Sequence, residues 1–187
     1  MILDRFRLDG KVALVTGAGR GIGAGIALGF AEAGADVVCA ARTKSEIDAV
    51  AESVRALGRR AIAAPCDVME RAQLEALVAR AIGELGRIDV LVNNAGGSPW
   101  KPFLQTSERL FEESFRFNVT SAFLLARLVV PHMLASGGGA IVNISSALGR
   151  ITDRGFSAYG TAKAALSHLS RLLANELAPR VRVNAIS

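Results

Sequence analysis

The chain has 187 residues, 51% of them hydrophobic, which is enough apolar material for one sizeable core. Its net charge of +5 admits an anionic ligand, but acidic residues are interleaved throughout and no basic run occurs, which argues against nucleic acid. A single Trp and a single Tyr also leave no platform for stacking bases.

Lys11–Thr16 is an apolar run suited to a strand buried on both faces. A glycine-rich turn follows, then a helix over about Gly21–Ala33 stopped by Gly34. Asp36–Ala41 is a second strand, and Ser45–Leu57 a second helix with Ser45 as its cap. Arg60–Pro65 is a third strand, followed by a helix over Glu70–Leu85, and Ile88–Val92 is a fourth strand. A loop with Pro99, Trp100 and Pro102 leads to a long helix over Ser107–Leu134. Ala140–Ser145 is strand five, Ala158–Leu177 a last helix, and Arg180–Ile186 strand six. This alternation predicts right-handed crossovers and an α/β fold, a doubly wound parallel sheet with helices on both faces. No internal repeat or linker divides residues 1–187, so they form a single domain.

Cys39 and Cys66 lack metal-ligand spacing and read as small buried hydrophobes. Asp4, Arg5, Arg7 and Asp9 interrupt the opening residues, so no secretory segment is expected. With no uninterrupted apolar run of spanning length, no membrane association and a cytoplasmic location are the expectations.

The turn after the first strand reads Thr16-Gly17-Ala18-Gly19-Arg20-Gly21-Ile22-Gly23. Glycines between a strand and a helix let the backbone approach a pyrophosphate, and the helix N-terminus offers free N–H groups and a favourable dipole. The ending is not that of a P-loop, so a dinucleotide is the expected ligand. An acidic residue at the end of the second strand would bind the two ribose hydroxyls of NAD. Asp36 opens that strand instead, at the wrong end, and the right end carries Ala41, Arg42, Thr43 and Lys44. A guanidinium without a carboxylate favours a 2′-phosphate, hence NADP(H) over NAD(H), and Arg20 offers a second cation. Asp67 and Val68 after strand three, and Asn94, Ala95 and Gly96 after strand four, complete one crevice at successive strand ends.

Tyr159 and Lys163 stand four residues apart, one helical turn, on one face. A lysine held beside a phenol favours the phenolate, and a nearby serine hydroxyl can hold a carbonyl oxygen while the tyrosine gives or takes its proton. That set points to carbonyl and alcohol chemistry with a separate hydride carrier.

Together these motifs resemble the short-chain dehydrogenase/reductase family of the single-domain kind. The glycine turn, Asn93-Asn94-Ala95-Gly96, Asn118, Ser146 and Tyr159-x-x-x-Lys163 stand in the family's order over essentially the whole chain. The resemblance implies a Rossmann sheet of order 3-2-1-4-5-6, with the last strand of the usual seven absent from this sequence. It also implies that Tyr159 is general acid and base, that Lys163 assists it and holds the nicotinamide ribose, and that Ser146 rather than Ser145 positions the substrate oxygen. Asn118 resembles the asparagine that supports a water-mediated relay to the lysine. The cofactor would lie against Gly17, Gly19, Arg20, Gly21, Ile22, Gly23, Arg42, Thr43, Asp67, Val68, Asn94, Ala95, Gly96, Tyr159 and Lys163. Relatives usually continue for about sixty more residues, so a C-terminally incomplete sequence is expected. Packing of the long helix and the tyrosine helix against their copies implies a homodimer or homotetramer.

Residues Gly97–Gln105 and Ala147–Ser157 should form part of a substrate pocket. Trp100, Phe103, Leu148, Ile151 and Phe156 make it apolar, which suits a small-molecule carbonyl or alcohol of steroid or 3-oxoacyl type. Phe111, Phe115 and Phe117 are expected in the core or on a helix-packing face, and His132 and His168 lack neighbouring ligand patterns. A catalytically inactive dinucleotide-binding or structural subunit is the alternative reading, and it has no need of the tyrosine, lysine and serine.

Overall fold

The computed structural model describes residues 2–187. Six strands, β1 (Val12–Thr16), β2 (Asp36–Ala41), β3 (Ala61–Pro65), β4 (Val90–Asn93), β5 (Gly139–Ile144) and β6 (Val181–Ile186), form one sheet in the order 3-2-1-4-5-6. Every pairing is parallel. The expected doubly wound fold and strand order are therefore observed.

Alternate residues of the central strands serve opposite faces, as the two-residue period of a strand requires. Val12 and Leu14 of β1 and Leu91 of β4 enter one core with helix α3 (Arg71–Leu85) and helix α5 (Ser121–Ala135). Val15 and Val92 enter the other with α1 (Gly21–Glu32) and α2 (Lys44–Ala56). The helices supply matching stripes: Ile47, Val50, Ala51 and Val54 on α2, and Leu74, Leu77, Val78, Ala81 and Leu85 on α3, all buried. Each large side chain buried this way contributes about 1.5–3 kcal/mol.

Polar links also tie the layers. Asn93 Nδ2 donates to Asn143 Oδ1 at 2.8 Å, Asn143 Nδ2 donates to Ser170 Oγ at 2.8 Å, and Ser170 donates to the Leu166 carbonyl. All three side chains are buried, so this chain fixes helix α6 (Ser157–Leu177) against the ends of β4 and β5.

Two expectations need correction. Helix α2 begins at Lys44, with Thr43 in the cap position and no side-chain cap bond, so Ser45 lies inside the first turn. The long helix is not uniform: α4 (Glu108–Phe115) passes through a π turn at Arg116–Thr120 into α5. Phe111 and Phe115 are 41% and 38% exposed on α4, outside any core. The continuous helical run Glu108–Ala135 is, by length and composition, apolar enough to cross a membrane. Here Leu125, Val129 and Met133 of that run are buried in the core against α3 and the sheet.

The amino ends of the strands carry two carboxylate clamps. Asp89, 5% exposed, accepts from Arg87 at 2.6 and 2.8 Å, from the Val12 N–H at 3.0 Å and from Lys11 at 3.2 Å. Burial alone would raise its pKa; these donors outweigh burial and hold it below the usual carboxylate range. A lowered carboxylate contributes stability that is complete above the unfolded value and is lost as pH falls through the folded one. Asp89→Asn is therefore expected to destabilise the protein by about 1–3 kcal/mol at neutral pH. In urea unfolding, that gap should narrow as pH falls below the usual carboxylate range and through the lowered value of Asp89, where the wild-type carboxylate is itself protonated. A gap independent of pH would contradict the clamp.

Candidate active site

The carboxyl ends of the strands open into one crevice lined by Gly17, Gly19, Arg20, Gly21, Ile22 and Gly23, by Ala41, Arg42, Thr43 and Glu46, by Cys66, Asp67 and Val68, by Asn94, Ala95 and Gly96, and by Phe117, Ile144, Ser145, Tyr159 and Lys163. The glycine turn, four successive strand ends and the first turns of α6 thus meet at one place. That is where an open parallel sheet binds its ligand.

The turn is built for close backbone approach. Gly17 has φ +64°, a conformation L side chains rarely adopt, and a Cβ at Gly23 would overlap the Gly17 carbonyl. Thr16 holds this turn to the next strand: its Oγ1 accepts from the Asn94 and Ala95 N–H groups at 3.0 and 3.1 Å and donates to the Val92 carbonyl at 3.2 Å. Asn94 Nδ2 returns to the Thr16 and Gly17 carbonyls at 2.9 and 3.2 Å. The Asn94 side chain is therefore a brace between the two strand ends, and its neighbours Ala95 and Gly96 present small surfaces to the crevice.

At the β2 end, Arg42 is exposed and has no ion pair or hydrogen bond among the described residues. Arg20, 86% exposed at its side chain, has Glu46 3.9 Å away. Glu46 was not singled out from the sequence, because it lies on the first turn of α2 and reaches back to the crevice; a Cβ at Gly19 would come within 2.8 Å of its Oε2. Asp36 lies at the opposite end of β2, where it accepts from the Arg60 N–H and Nε, both at 2.8 Å. It is a structural carboxylate.

Asp67 Oδ1 accepts from the Met69 N–H at 3.0 Å and shapes the turn that leaves Val68 buried in the wall. Cys66 lines the same wall. Both Cys39 and Cys66 are buried, and burial pushes each thiol up to about 11, which keeps them protonated.

Lys163 is 3% exposed, donates to the Ile144 carbonyl at 2.8 Å and lies 5.6 Å from the centroid of the Tyr159 ring. No carboxylate shares its burial, and desolvation brings its pKa down to about 8. Tyr159 is half-buried, with Phe156 tilted against it at 6.3 Å between centroids. Gly96 approaches the same place: a Cβ there would lie 2.7 Å from Asn118 Oδ1 and 3.0 Å from Lys163 Nζ.

The two serines differ in what their hydroxyls already do. Ser145 Oγ is buried, bonded to the Lys163 carbonyl at 3.0 Å and to Ser167 Oγ at 2.7 Å. Ser146 is half-buried and only accepts, from the Leu148 N–H at 3.2 Å, so its own proton is uncommitted. Ser145 lines the crevice, and Ser146 is not among its lining residues. Asn118, 1% exposed, accepts from the Gly97 N–H at 2.9 Å and donates to the Gly97 and Ser114 carbonyls, both at 2.8 Å. Its amide fastens the π turn to the loop after β4, which leaves the side chain no free donor for a relay.

Of the apolar side chains expected around a substrate, Phe156 touches Tyr159, while Trp100, Phe103 and Ile151 are exposed and none of the five lines the crevice. Phe117, expected in the core or on a helix-packing face, packs against the core and also lines the crevice.

A model of the short chain dehydrogenase family matches residues 11–187. An uncharacterized oxidoreductase of Mycobacterium tuberculosis is 55% identical over 188 aligned residues, covering 100% of this chain and 72% of the relative. The 7alpha-hydroxysteroid dehydrogenase of Escherichia coli strain K12 is 42% identical, over 98% of this chain and 72% of that enzyme. Among solved structures, a 7 alpha-hydroxysteroid dehydrogenase complexed with NADH and 7-oxo glycochenodeoxycholic acid superposes with a TM-score of 0.95 at 42% identity, over 98% of this chain and 72% of that one.

Proposed function

The chain belongs to the short-chain dehydrogenase family, and on that premise we propose that it interconverts a hydrophobic ketone and its secondary alcohol with NADP(H), using Tyr159, Lys163, Ser146 and Asn118. That it is a dinucleotide-dependent oxidoreductase acting on CH–OH groups follows from the family itself. The observation that carries the residue roles is a buried ammonium, Lys163, 5.6 Å from the Tyr159 ring centroid in the crevice that begins at the glycine turn.

The crevice suits a dinucleotide. Gly17 and Gly23 let the turn, the loop after β4 and the start of α1 pack closely, and the crevice runs past the first residues of α1, whose N–H groups lack helical partners and suit phosphate oxygens. When bound, the nicotinamide supplies or accepts the hydride. The protein's part is positional and protonic. Ser146 Oγ–H holds the substrate oxygen, Tyr159 Oη gives it a proton on reduction and takes it back on oxidation, and Lys163 favours the charge left on the tyrosine and bonds the ribose. Asn118 acts by holding the loop at Gly97, so a relay from Lys163 to solvent would pass through water rather than through the asparagine amide.

The preference for NADP(H) rests on Arg42 at the end of β2, where a ribose 2′-phosphate would lie, and on Arg20 in the glycine turn, which lines the same crevice. Glu46 favours the second reading, NAD(H), since a carboxylate there suits ribose hydroxyls. Two guanidinium groups against one carboxylate support the phosphate. Thermal unfolding tests this: NADPH should stabilise the protein at lower concentration than NADH. Arg42→Ala should weaken NADPH by roughly ten- to a hundredfold, the equivalent of one charge-assisted bond, and leave NADH within about twofold. An NADH preference that survives Arg42→Ala would assign the ribose to Glu46.

A steroid-like substrate is supported by the name of the Escherichia coli relative and by the exposed apolar side chains Trp100, Phe103 and Ile151. Residues 1–187 are proposed to form one dinucleotide-binding unit of a cytoplasmic homo-oligomer. The exposed Phe111, Phe115 and Phe123 along the long helix are its proposed contact face.

A further inference from the structure

The loop after β4 and the loop after β5 are separated by some fifty positions in sequence, yet they are fastened to each other. Trp100 Nε1 donates to the Arg154 carbonyl at 2.9 Å, and the Lys101 N–H donates to the Gly155 carbonyl at 3.0 Å. Gly155 sits at φ +80°, and a Cβ there would run into the indole, so the ring lies directly on the glycine backbone. The next residue, Phe156, packs on the Tyr159 ring and accepts from the Gly160 N–H at 2.7 Å as α6 begins. One indole is thus linked, through two residues, to the tyrosine. It still leaves 56% of its surface exposed, and Phe103 and Ile151 of the same two loops are 76% and 61% exposed.

Resting on the oxidoreductase reading above, we propose that Trp100 is the substrate-selecting and positioning residue of this site. It staples the two loops into one rim, offers its free face to a broad, fused-ring apolar carbonyl compound, and fixes the start of α6 so that such a substrate meets Tyr159 in register. A small ketone cannot reach from the tyrosine to the rim and gains nothing from it. A large flat aromatic side chain held by its polar edge suits this role, because it buries much apolar area with little loss of rotamer freedom.

Trp100 is the only tryptophan in the chain, so its fluorescence reports on the staple without any substitution. The protein is first saturated with the oxidised cofactor, NADP, which blocks turnover of an added ketone, and is then titrated with decalone or with acetone. Decalone should change the emission saturably, and acetone at equal concentration should not. In steady-state reduction, Trp100→Ala should raise the KM for decalone about tenfold or more while leaving that for acetone within about twofold. Trp100→Phe, which keeps a ring but loses the donor, should fall between. NADPH-induced stabilisation should be unchanged in both variants, which shows that they fold and bind cofactor. Unchanged emission with decalone, or equal KM changes for the two ketones, would overturn the proposal. Cofactor binding without turnover of any ketone would instead overturn the oxidoreductase reading, and the emission titration would then decide alone whether the rim binds fused rings.

Discussion

Tyr159→Phe is expected to lower turnover by roughly 10²–10⁴-fold, the range over which a positioned proton donor acts. The substitution removes one oxygen and leaves the ring that packs on Phe156. The ring–ammonium contact with Lys163 is also kept. NADPH should therefore stabilise the variant against heat almost as well as it stabilises wild type. Steady-state rates and thermal shifts on the same preparations check both halves. Undiminished turnover would remove Tyr159 from the mechanism, whereas lost turnover together with lost cofactor binding would mean that the phenol acts by holding the crevice together.

Lys163→Met should do two opposite things. Turnover should fall about a hundredfold or more, because the charge beside the phenol is gone. Stability without cofactor should rise. Burial brings the Lys163 pKa to about 8 from 10.5, so the folded state binds fewer protons than the unfolded chain between those values. Wild-type stability then increases with pH across that window, and below it the fold carries the whole cost of a buried ammonium. At 1.36 kcal/mol per unit, that cost is roughly 3 kcal/mol. The methionine escapes it but leaves the Ile144 carbonyl without its donor, so a net gain of about 1–2 kcal/mol is expected at neutral pH. Urea unfolding of the two proteins without cofactor, at neutral pH and near pH 10, is the check. The methionine variant's advantage should shrink at the higher pH, and a variant less stable than wild type at neutral pH would contradict the account.

What could be read from the amino acids was whatever repeats over a short span. Apolar runs between glycines marked the strands, and the reading of Lys11–Thr16 as a strand buried on both faces matches the burial of all five residues of β1. Tyr159 and Lys163 could be placed on one face because a helical turn relates them. Asp36 could be set aside because strand polarity puts it at the far end from any ligand, and Arg60 holds it there. The features that escaped depend on where the chain returns in space. Glu46 sits in the first turn of α2, close after β2, but its place in the crevice shows only when that turn is seen beside Gly19 of another loop. Asn93, Asn143 and Ser170 look like three unrelated polar residues until β4, β5 and α6 bring them together. The π turn has no local mark, since Arg116–Thr120 would suit an ordinary helix equally well. Preference for Ser146 over Ser145 was implied by the family resemblance, whereas the physical difference between them is that only Ser145 is bonded into α6.

The π turn also changes how this stretch can vary over evolution. A wide turn holds about one residue more than the regular helix would, so α4 and α5 are offset by about 100° from the phase that a continuous helix would give them. That offset lets one rod show Phe111 and Phe115 to the outside and, a few residues on, Val119 and Ala122 to α6. A single deletion anywhere between Arg116 and Thr120 would leave a perfectly good helix in the wrong phase: its outer and inner faces would exchange partners, and Asn118 would swing away from Gly97. In this segment the reading frame of the surface pattern, rather than any one side chain, is what selection must conserve.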